Sequence, residues 1–177
     1  MQALDGFPKD KHIIDLAAGQ GTDTLEYLRA GWTVIAVDSS KVGLWLAKRK
    51  AKKAGKGNNI SCIQSSLEDY RAAPCAGVNA SFALPFCSQS HWPDFWASIT
   101  KAIIPGGVFA GQFFGLEDTW QNKPLKGKPT LHFSESDVRD FFKDFEILDF
   151  KEVNQTGSDP YGKEKHWQVY HVLAKKK

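Results

Sequence analysis

The sequence predicts an α/β domain built on a mainly parallel sheet, and three observations carry that prediction. Strand-like and helix-like segments alternate from residue 12 to residue 114, the signature of parallel strands joined by helical crossovers. The first strand runs into a turn of small residues, Ala17-Ala18-Gly19-Gln20-Gly21. The last two strands follow one another with no helix between them, so they should pair antiparallel.

Each element has its own signal. Residues 12–16 form a short apolar run that contains Asp15 and ends at the small-residue turn. Residues 22–30 read as a helix, with Leu25 and Leu28 three apart on one face and Gly31 as the stop. Residues 32–37 are apolar on both faces, as a central parallel strand should be, and Asp38 sits at the carboxyl end. Residues 41–54 form a second helix ended by Gly55, and residues 60–64 a third strand. Residues 78–84 read as a fourth strand stopped by Pro85. Residues 91–104 read as a helix stopped by Pro105 and the Gly106-Gly107 turn, with 108–114 as a fifth strand. Residues 115–130 carry Pro124, Gly127 and Pro129 and read as a loop or lid. Phe133 to Val138 then has the marks of a helix start. Ser134 can cap it, Asp137 can complete a capping box, and Phe133 can staple to Val138. Residues 145–153 and 166–174 are the final two strands, separated by a loop at 154–165 containing Gly157, Pro160 and Gly162.

Bulk properties narrow the function classes. At 177 residues and 42% hydrophobic content, one domain (residues 1–177) with a substantial core is expected. The formal charge of +3 is too small to argue for nucleic acid. The cluster of Lys48, Arg49, Lys50, Lys52, Lys53 and Lys56 reads as a solvated helix face, and Lys175 to Lys177 as a solvated tail. Cys62, Cys75 and Cys87 show no metal-site or CxxC spacing and suit a reducing compartment. No metal site is expected. No apolar run approaches a membrane span and no signal-peptide pattern opens the chain, so a cytoplasmic protein is expected, monomer or homodimer.

Open α/β sheets bind ligands at the carboxyl ends of their strands. Small residues at 17, 18, 19 and 21 let a ligand approach the backbone, and the helix that follows offers free N–H groups and a positive dipole end. Asp38, 17 residues after Gly21, stands where a carboxylate can accept from both hydroxyls of a ribose. Its alternative role is to cap the next helix. A dinucleotide fingerprint would want a third glycine, and Thr24 stands there instead.

These residues resemble the class I S-adenosylmethionine-dependent methyltransferases over nearly the whole chain. Asp15-Leu16-Ala17-Ala18-Gly19-Gln20-Gly21-Thr22 looks like their first motif, with alanine at the first glycine position. Val37-Asp38-Ser39 looks like the second, and Ser65-Ser66-Leu67-Glu68-Asp69 occupies the place of the third. Ser81-Phe82-Ala83-Leu84-Pro85-Phe86 lies at the fourth strand and Ile104-Pro105-Gly106-Gly107 before the fifth. The ending, Lys165-His166-Trp167 through Leu173-Ala174-Lys175, is similar to the last strand of small-molecule members, including tellurite- and thiopurine-type enzymes.

The resemblance implies a Rossmann-like three-layer sandwich, with a seven-stranded, mainly parallel sheet whose last strand is antiparallel. It implies S-adenosyl-L-methionine as cofactor. The backbone of Ala17, Ala18 and Gly19 would hold the methionine portion, with Asp15 near its amino group and Gly21 opening the helix. Asp38, followed by Ser39, would bind the ribose. Ser66 and Leu67 would flank the adenine, and Phe82 would border the cofactor. An aspartate is common where Ser66 stands, so adenine recognition here leans on the Leu67 backbone and apolar packing. Only 11 residues precede His12, where many members carry lid helices. The resemblance then implies a truncated chain, a minimal domain with an open site, or closure by the 115–130 loop instead.

The expected reaction is methyl transfer by direct displacement to a small-molecule acceptor. The fourth strand's end lacks the Asn/Asp-Pro-Pro-Tyr arrangement of nucleic-acid N-methyltransferases. Candidate acceptor-lining residues are Phe86, His91, Trp92, Glu117, Trp120 and His166, with Asp118 and His132 also in the variable loops. No catalytic base is assigned. Methylation of RNA or protein, suggested by the basic cluster at 48–56, and a catalytically silent cofactor-binding domain are the competing readings.

Overall fold

A computed structural model describes residues 11–177. Strands β1 (His12–Leu16), β2 (Thr33–Asp38), β3 (Ile60–Gln64), β4 (Cys75–Ala80) and β5 (Ile103–Gly115) pair in parallel, in the order β3-β2-β1-β4-β5. Residues of β1 alternate faces with period two, and the two faces feed two different cores. Ile13 packs with Leu28, Trp32, Val34, Leu44 and Ala47 beneath helices α1 (Thr22–Arg29) and α2 (Lys41–Lys53). Ile14 and Leu16 pack on the other face with Phe95, Trp96, Phe109, Phe113 and Phe142, under α3 (Trp92–Ala102) and α4 (Glu135–Asp140). The result is three layers with the sheet in the middle. Burying each of these large side chains contributes about 1.5–3 kcal/mol, which is what holds the helices to the sheet.

The sheet ends as the closing hairpin requires. β7 (Phe145–Ser158) and β8 (Glu164–Lys176) pair antiparallel, and β8 inserts beside β5, also antiparallel. The last strand is therefore the antiparallel one. A two-residue strand, β6 (His132–Phe133), adds a parallel pairing at the far end of β5, from Phe114 to Gly115. This eighth strand has too few residues to register as a period in the sequence.

Three stretches differ from expectation, each for a local reason. The fourth strand spans 75–80 rather than 78–84. Phe82 takes a left-handed backbone at φ 48° and cannot continue a strand, so 84–86 becomes a 3-10 turn. Helix α3 stops at Ala102, and its chain passes directly into β5. Pro105 restricts the residue before it and cannot extend a helix. The expected 154–165 loop is mostly strand, because β7 and β8 stay paired out to Ser158 and Glu164. Only 159–163 turns, tied by Asp159, whose carboxylate accepts the N–H of Tyr161 at 2.8 Å and Lys163 at 2.9 Å. α4 begins with a complete capping box: Ser134 Oγ accepts Asp137 N–H at 3.1 Å, and Asp137 Oδ2 accepts Ser134 N–H at 3.0 Å. Among the described residues no helix is long and apolar enough to cross a membrane.

Candidate functional site

The turn after β1 is built on left-handed residues: Ala17 at φ 53°, Gly19 at 51° and Gly21 at 73°. Alanine in that region costs about 1 kcal/mol over glycine, so the surrounding structure must hold Ala17 in place. Helix α2 does part of that work by close approach. A Cβ on Gly43 would lie 2.8 Å from the Gly19 carbonyl oxygen, and one on Gly21 would lie 2.5 Å from Ala47 Cβ. One glycine on each element lets α2 press against the turn.

Asp38 ends β2 and ties the turn to the next helix. Its Oδ2 accepts Gly19 N–H and its Oδ1 accepts Ser40 N–H, both at 2.7 Å. The capping role falls to Ser40, whose Oγ accepts Gly43 N–H at 3.1 Å. Each Asp38 oxygen keeps a lone pair, and the carboxylate lines a cleft of about 460 Å³. Ala17, Val37 and Ser39 form one wall, and Ser65, Ser66, Leu67 and Glu68 another. Ala83 and Phe86 close the β4 end, and Lys128 and Pro129 reach in from the 115–130 loop. That loop is pinned to the β4 end by Leu131 N–H donating to the Pro85 carbonyl at 2.8 Å.

Asp15 points the opposite way, into the core at 2% exposure. It accepts hydrogen bonds from Thr24 Oγ1 and from Asn79 Nδ2, the latter at 2.8 Å. Asn79 also donates to Asp23 Oδ2 at 3.2 Å and accepts from the Tyr27 hydroxyl at 3.2 Å. Burial pushes the Asp15 carboxyl above its ordinary pKa, opposed by the bonds from Thr24 and Asn79. Burial, with the Asp15 and Asp23 charges nearby, pushes the Tyr27 phenol up to about 12. A small cleft of about 100 Å³ opens beside this network, lined by Asp15, Ala17, Ala18, Thr22, Asp23 and Ser81.

A third cavity, about 480 Å³, lies on the other side of Phe86 and is lined by aromatic rings: Phe82, Phe86, Phe114, Trp120, Tyr161 and Trp167. Behind them sits Lys165, 2% exposed and ion-paired with buried Asp118. Its Nζ lies 3.7 Å from the Trp167 ring centroid, 4.5 Å from Trp120 and 5.1 Å from Phe114. Burial lowers the Lys165 pKa, against the opposing pull of Asp118. Phe82 N–H donates to Gln112 Oε1 at 2.8 Å, and its ring meets His171 edge-on at 6.4 Å. Burial, with Lys151 nearby, lowers the His171 pKa.

The structure thus gathers Ala17, Asp38, Ser39, Ser66, Leu67 and Phe86 around one cleft. It gathers Asp15 and Ala18 around the small one, and Phe82 and Trp120 around the aromatic cavity. Ser66 is engaged locally: its hydroxyl donates to Asp69 Oδ2 at 2.7 Å. Other candidates line none of the three cavities. His91 begins α3, with Nδ1 2.7 Å from Ser88 Oγ. Trp92 is core, stacked on Trp96 at 5.4 Å. Glu117 faces Asn154 on the surface, accepting at 3.0 Å. The main chain of His166 donates to Thr119 Oγ1 at 2.9 Å. His132 bridges the Gly115 carbonyl and Thr130 Oγ1.

Several residues at the site carry no role in the sequence reading. Asn79 had a usable signal, a lone amide in a strand buried at all of its residues. Thr24, at the third fingerprint position, had another. Gly43, Gln112 and Tyr161 depend on long-range contacts and had none; Asp118 was a loop candidate, but its pairing with Lys165 had no local signal.

Residues 13–107 match the family model described as a methyltransferase domain. No curated protein matches significantly. Among solved structures, TehB from Haemophilus influenzae superposes with a TM-score of 0.78 at 18% identity, covering 94% of this chain but only 57% of TehB. An S-adenosylmethionine-dependent methyltransferase from Methanosarcina mazei gives 0.71 at 16% identity, covering 97% of this chain and 94% of that one. The 1,6-didemethyltoxoflavin-N1-methyltransferase of Burkholderia thailandensis, holding S-adenosylhomocysteine, gives 0.68 at 18% identity, with coverage of 93% and 70%. These likenesses carry the fold, and the match over 13–107 carries the family. The chain belongs to the methyltransferase domain family, and its fold is that of the class I S-adenosylmethionine-dependent methyltransferases.

Proposed function

We propose that this chain transfers a methyl group to a small-molecule acceptor by direct displacement. The observation that carries the proposal is that the cleft at Asp38 and the aromatic cavity share the Phe86 side chain as a common wall. A donor held in the first would present its reactive end to an acceptor held in the second.

The residues present fit S-adenosylmethionine. A sulfonium cofactor supplies an electrophilic methyl group when bound. Asp38, fixed by two amides, offers lone pairs to two ribose hydroxyls. Ser65 to Glu68 form the wall opposite for the adenine, with Leu67 as its apolar face. The carboxyl ends of β1 and β4 and the first turn of α1 bring Asp15, Ser81 and Asp23 to the small cleft, where acidic groups suit the methionine ammonium. The small residues of the turn leave the backbone open to its carboxylate. Holding two reactants in line is the protein's main contribution to such a displacement.

The acceptor cavity is an open, mostly aromatic pocket of about 480 Å³, a size that suits a small molecule over RNA or protein. The exposed lysines of α2 line none of the three cavities. A cytoplasmic setting suits the three free cysteines. The test is methyl transfer measured as S-adenosylhomocysteine release against a panel of small acceptors, RNA and protein. Release with small acceptors alone supports the reading. Release only with a macromolecule overturns it.

A further inference from the structure

We infer that the acceptor is an uncharged, flat aromatic molecule stacked in the cavity between Phe86 and the β7–β8 turn. This inference rests on the methyl-transfer reading above and goes further by naming the acceptor's class.

Three features of the cavity select that class. The first is its surface. Phe82, Phe86, Phe114, Trp120, Tyr161 and Trp167 present ring faces and edges, with centroid spacings of 5.4–6.4 Å among neighbours. Another ring can extend that offset and edge-on packing. The volume of about 480 Å³ falls within the roughly 300–1,000 Å³ of small-molecule sites.

The second is where the positive charges lie. A ring face is negative at its centre and repels an anion. Of the two ammonium groups recorded against the cavity's rings, Lys165 is neutralised by Asp118 and buried behind them, and Lys126 lies at the exposed edge, 4.7 Å from the Tyr161 centroid. The carboxylate at the mouth belongs to Asp159, which adds a further negative charge. An inorganic oxyanion therefore meets ring faces inside the cavity and finds an exposed cation only at its edge, on Lys126.

The third is that the cation niche is filled. Aromatic boxes with a nearby carboxylate suit quaternary ammonium ligands. Here Trp167, Trp120 and Phe114 already hold the Lys165 ammonium within 5.1 Å. A second cation would have to compete with Lys165 for the same ring faces. A neutral ring meets no such competition.

The reaction balances without a further reagent. The acceptor's heteroatom bonds to the methyl carbon as the carbon–sulfur bond breaks, with its electron pair staying on sulfur. The acceptor's proton passes to water at the open mouth beside Tyr161.

The test is isothermal titration of the S-adenosylhomocysteine-loaded protein with 2-naphthol, selenite and choline as probes, confirmed by ligand-detected saturation-transfer NMR. 2-Naphthol is expected to bind, and selenite and choline are not. Trp167→Leu and Tyr161→Ala should each weaken 2-naphthol binding about tenfold while leaving S-adenosylhomocysteine binding unchanged. Tyr161 is 57% exposed on a turn, so its variant should fold even where Trp167→Leu does not. Binding of selenite or choline in preference to 2-naphthol overturns the inference. So does 2-naphthol binding that Tyr161→Ala leaves intact, or no binding of 2-naphthol at all. Should S-adenosylhomocysteine itself fail to bind, it is the methyl-transfer reading that falls instead.

Discussion

The main-chain N–H of Gly19 donates to Oδ2 of Asp38 at 2.7 Å. That bond joins the turn after β1 to the end of β2 and aims the carboxylate before any ligand arrives. A preorganised acceptor loses less on binding than one that must be ordered first.

Asp38→Ala should weaken S-adenosylhomocysteine binding at least tenfold by titration calorimetry. It removes hydrogen bonds to a charged acceptor, each worth about 1.5–3 kcal/mol, and also loosens the Gly19 amide. Asp38→Asn keeps one acceptor oxygen and should fall between the two.

Gly43→Ala separates close packing from backbone strain. Its Cβ would meet the Gly19 carbonyl oxygen at 2.8 Å, so the turn or α2 must shift. A destabilisation of about 1–3 kcal/mol is expected in chemical denaturation, together with weaker S-adenosylhomocysteine binding. Gly55→Ala has nothing within 4 Å of its added Cβ, but its φ is 70°. It should lose about 1 kcal/mol from strain alone, with binding unchanged.

Much of the fold was legible because local signals agreed with it. The apolar residues 12–16 and 60–64 became β1 and β3 with the same bounds, and Ser134 with Asp137 formed the capping box their spacing announces. The fourth strand was displaced because its signal, Cys-Ala-Gly-Val-Asn-Ala, has small residues and a polar one where strands usually show branched apolar side chains. The glycine turn and Asp38 were legible for the same reason, since both lie within one strand–helix–strand unit. The aromatic cavity was not. It joins Phe82 and Phe86 to Trp120, Tyr161 and Trp167, segments far apart in sequence, and the β7–β8 pairing that places Tyr161 ran longer than the local pattern suggested.

Asp118→Ala should destabilise the protein by about 3–5 kcal/mol, because it leaves the Lys165 ammonium buried without its partner. The double variant Asp118→Leu/Lys165→Met should recover most of that loss. Thermal denaturation of the single and double variants checks the pair.

Asp15→Asn tests burial of the first-strand carboxylate. Burial raises its folded pKa above the unfolded value, so the folded state binds its proton more tightly. Stability from this group is fully present below the ordinary carboxylate range and is lost as pH rises through the folded value. The variant should therefore melt higher than wild type at neutral pH, and the gap should close as the pH falls into the acid range. Its affinity for S-adenosylmethionine should drop, since the ammonium loses a nearby negative charge. Melting curves across that pH range, with titration at neutral pH, report both effects.

The most direct measurement of the central claim is a crystal structure with S-adenosylhomocysteine. The ribose hydroxyls should lie within hydrogen-bond distance of the Asp38 carboxylate, the adenine against Leu67, and the sulfur should face the Phe82–Phe86 wall of the aromatic cavity. A ligand bound elsewhere, or in the same cleft with its sulfur turned away from Phe86, would contradict the account.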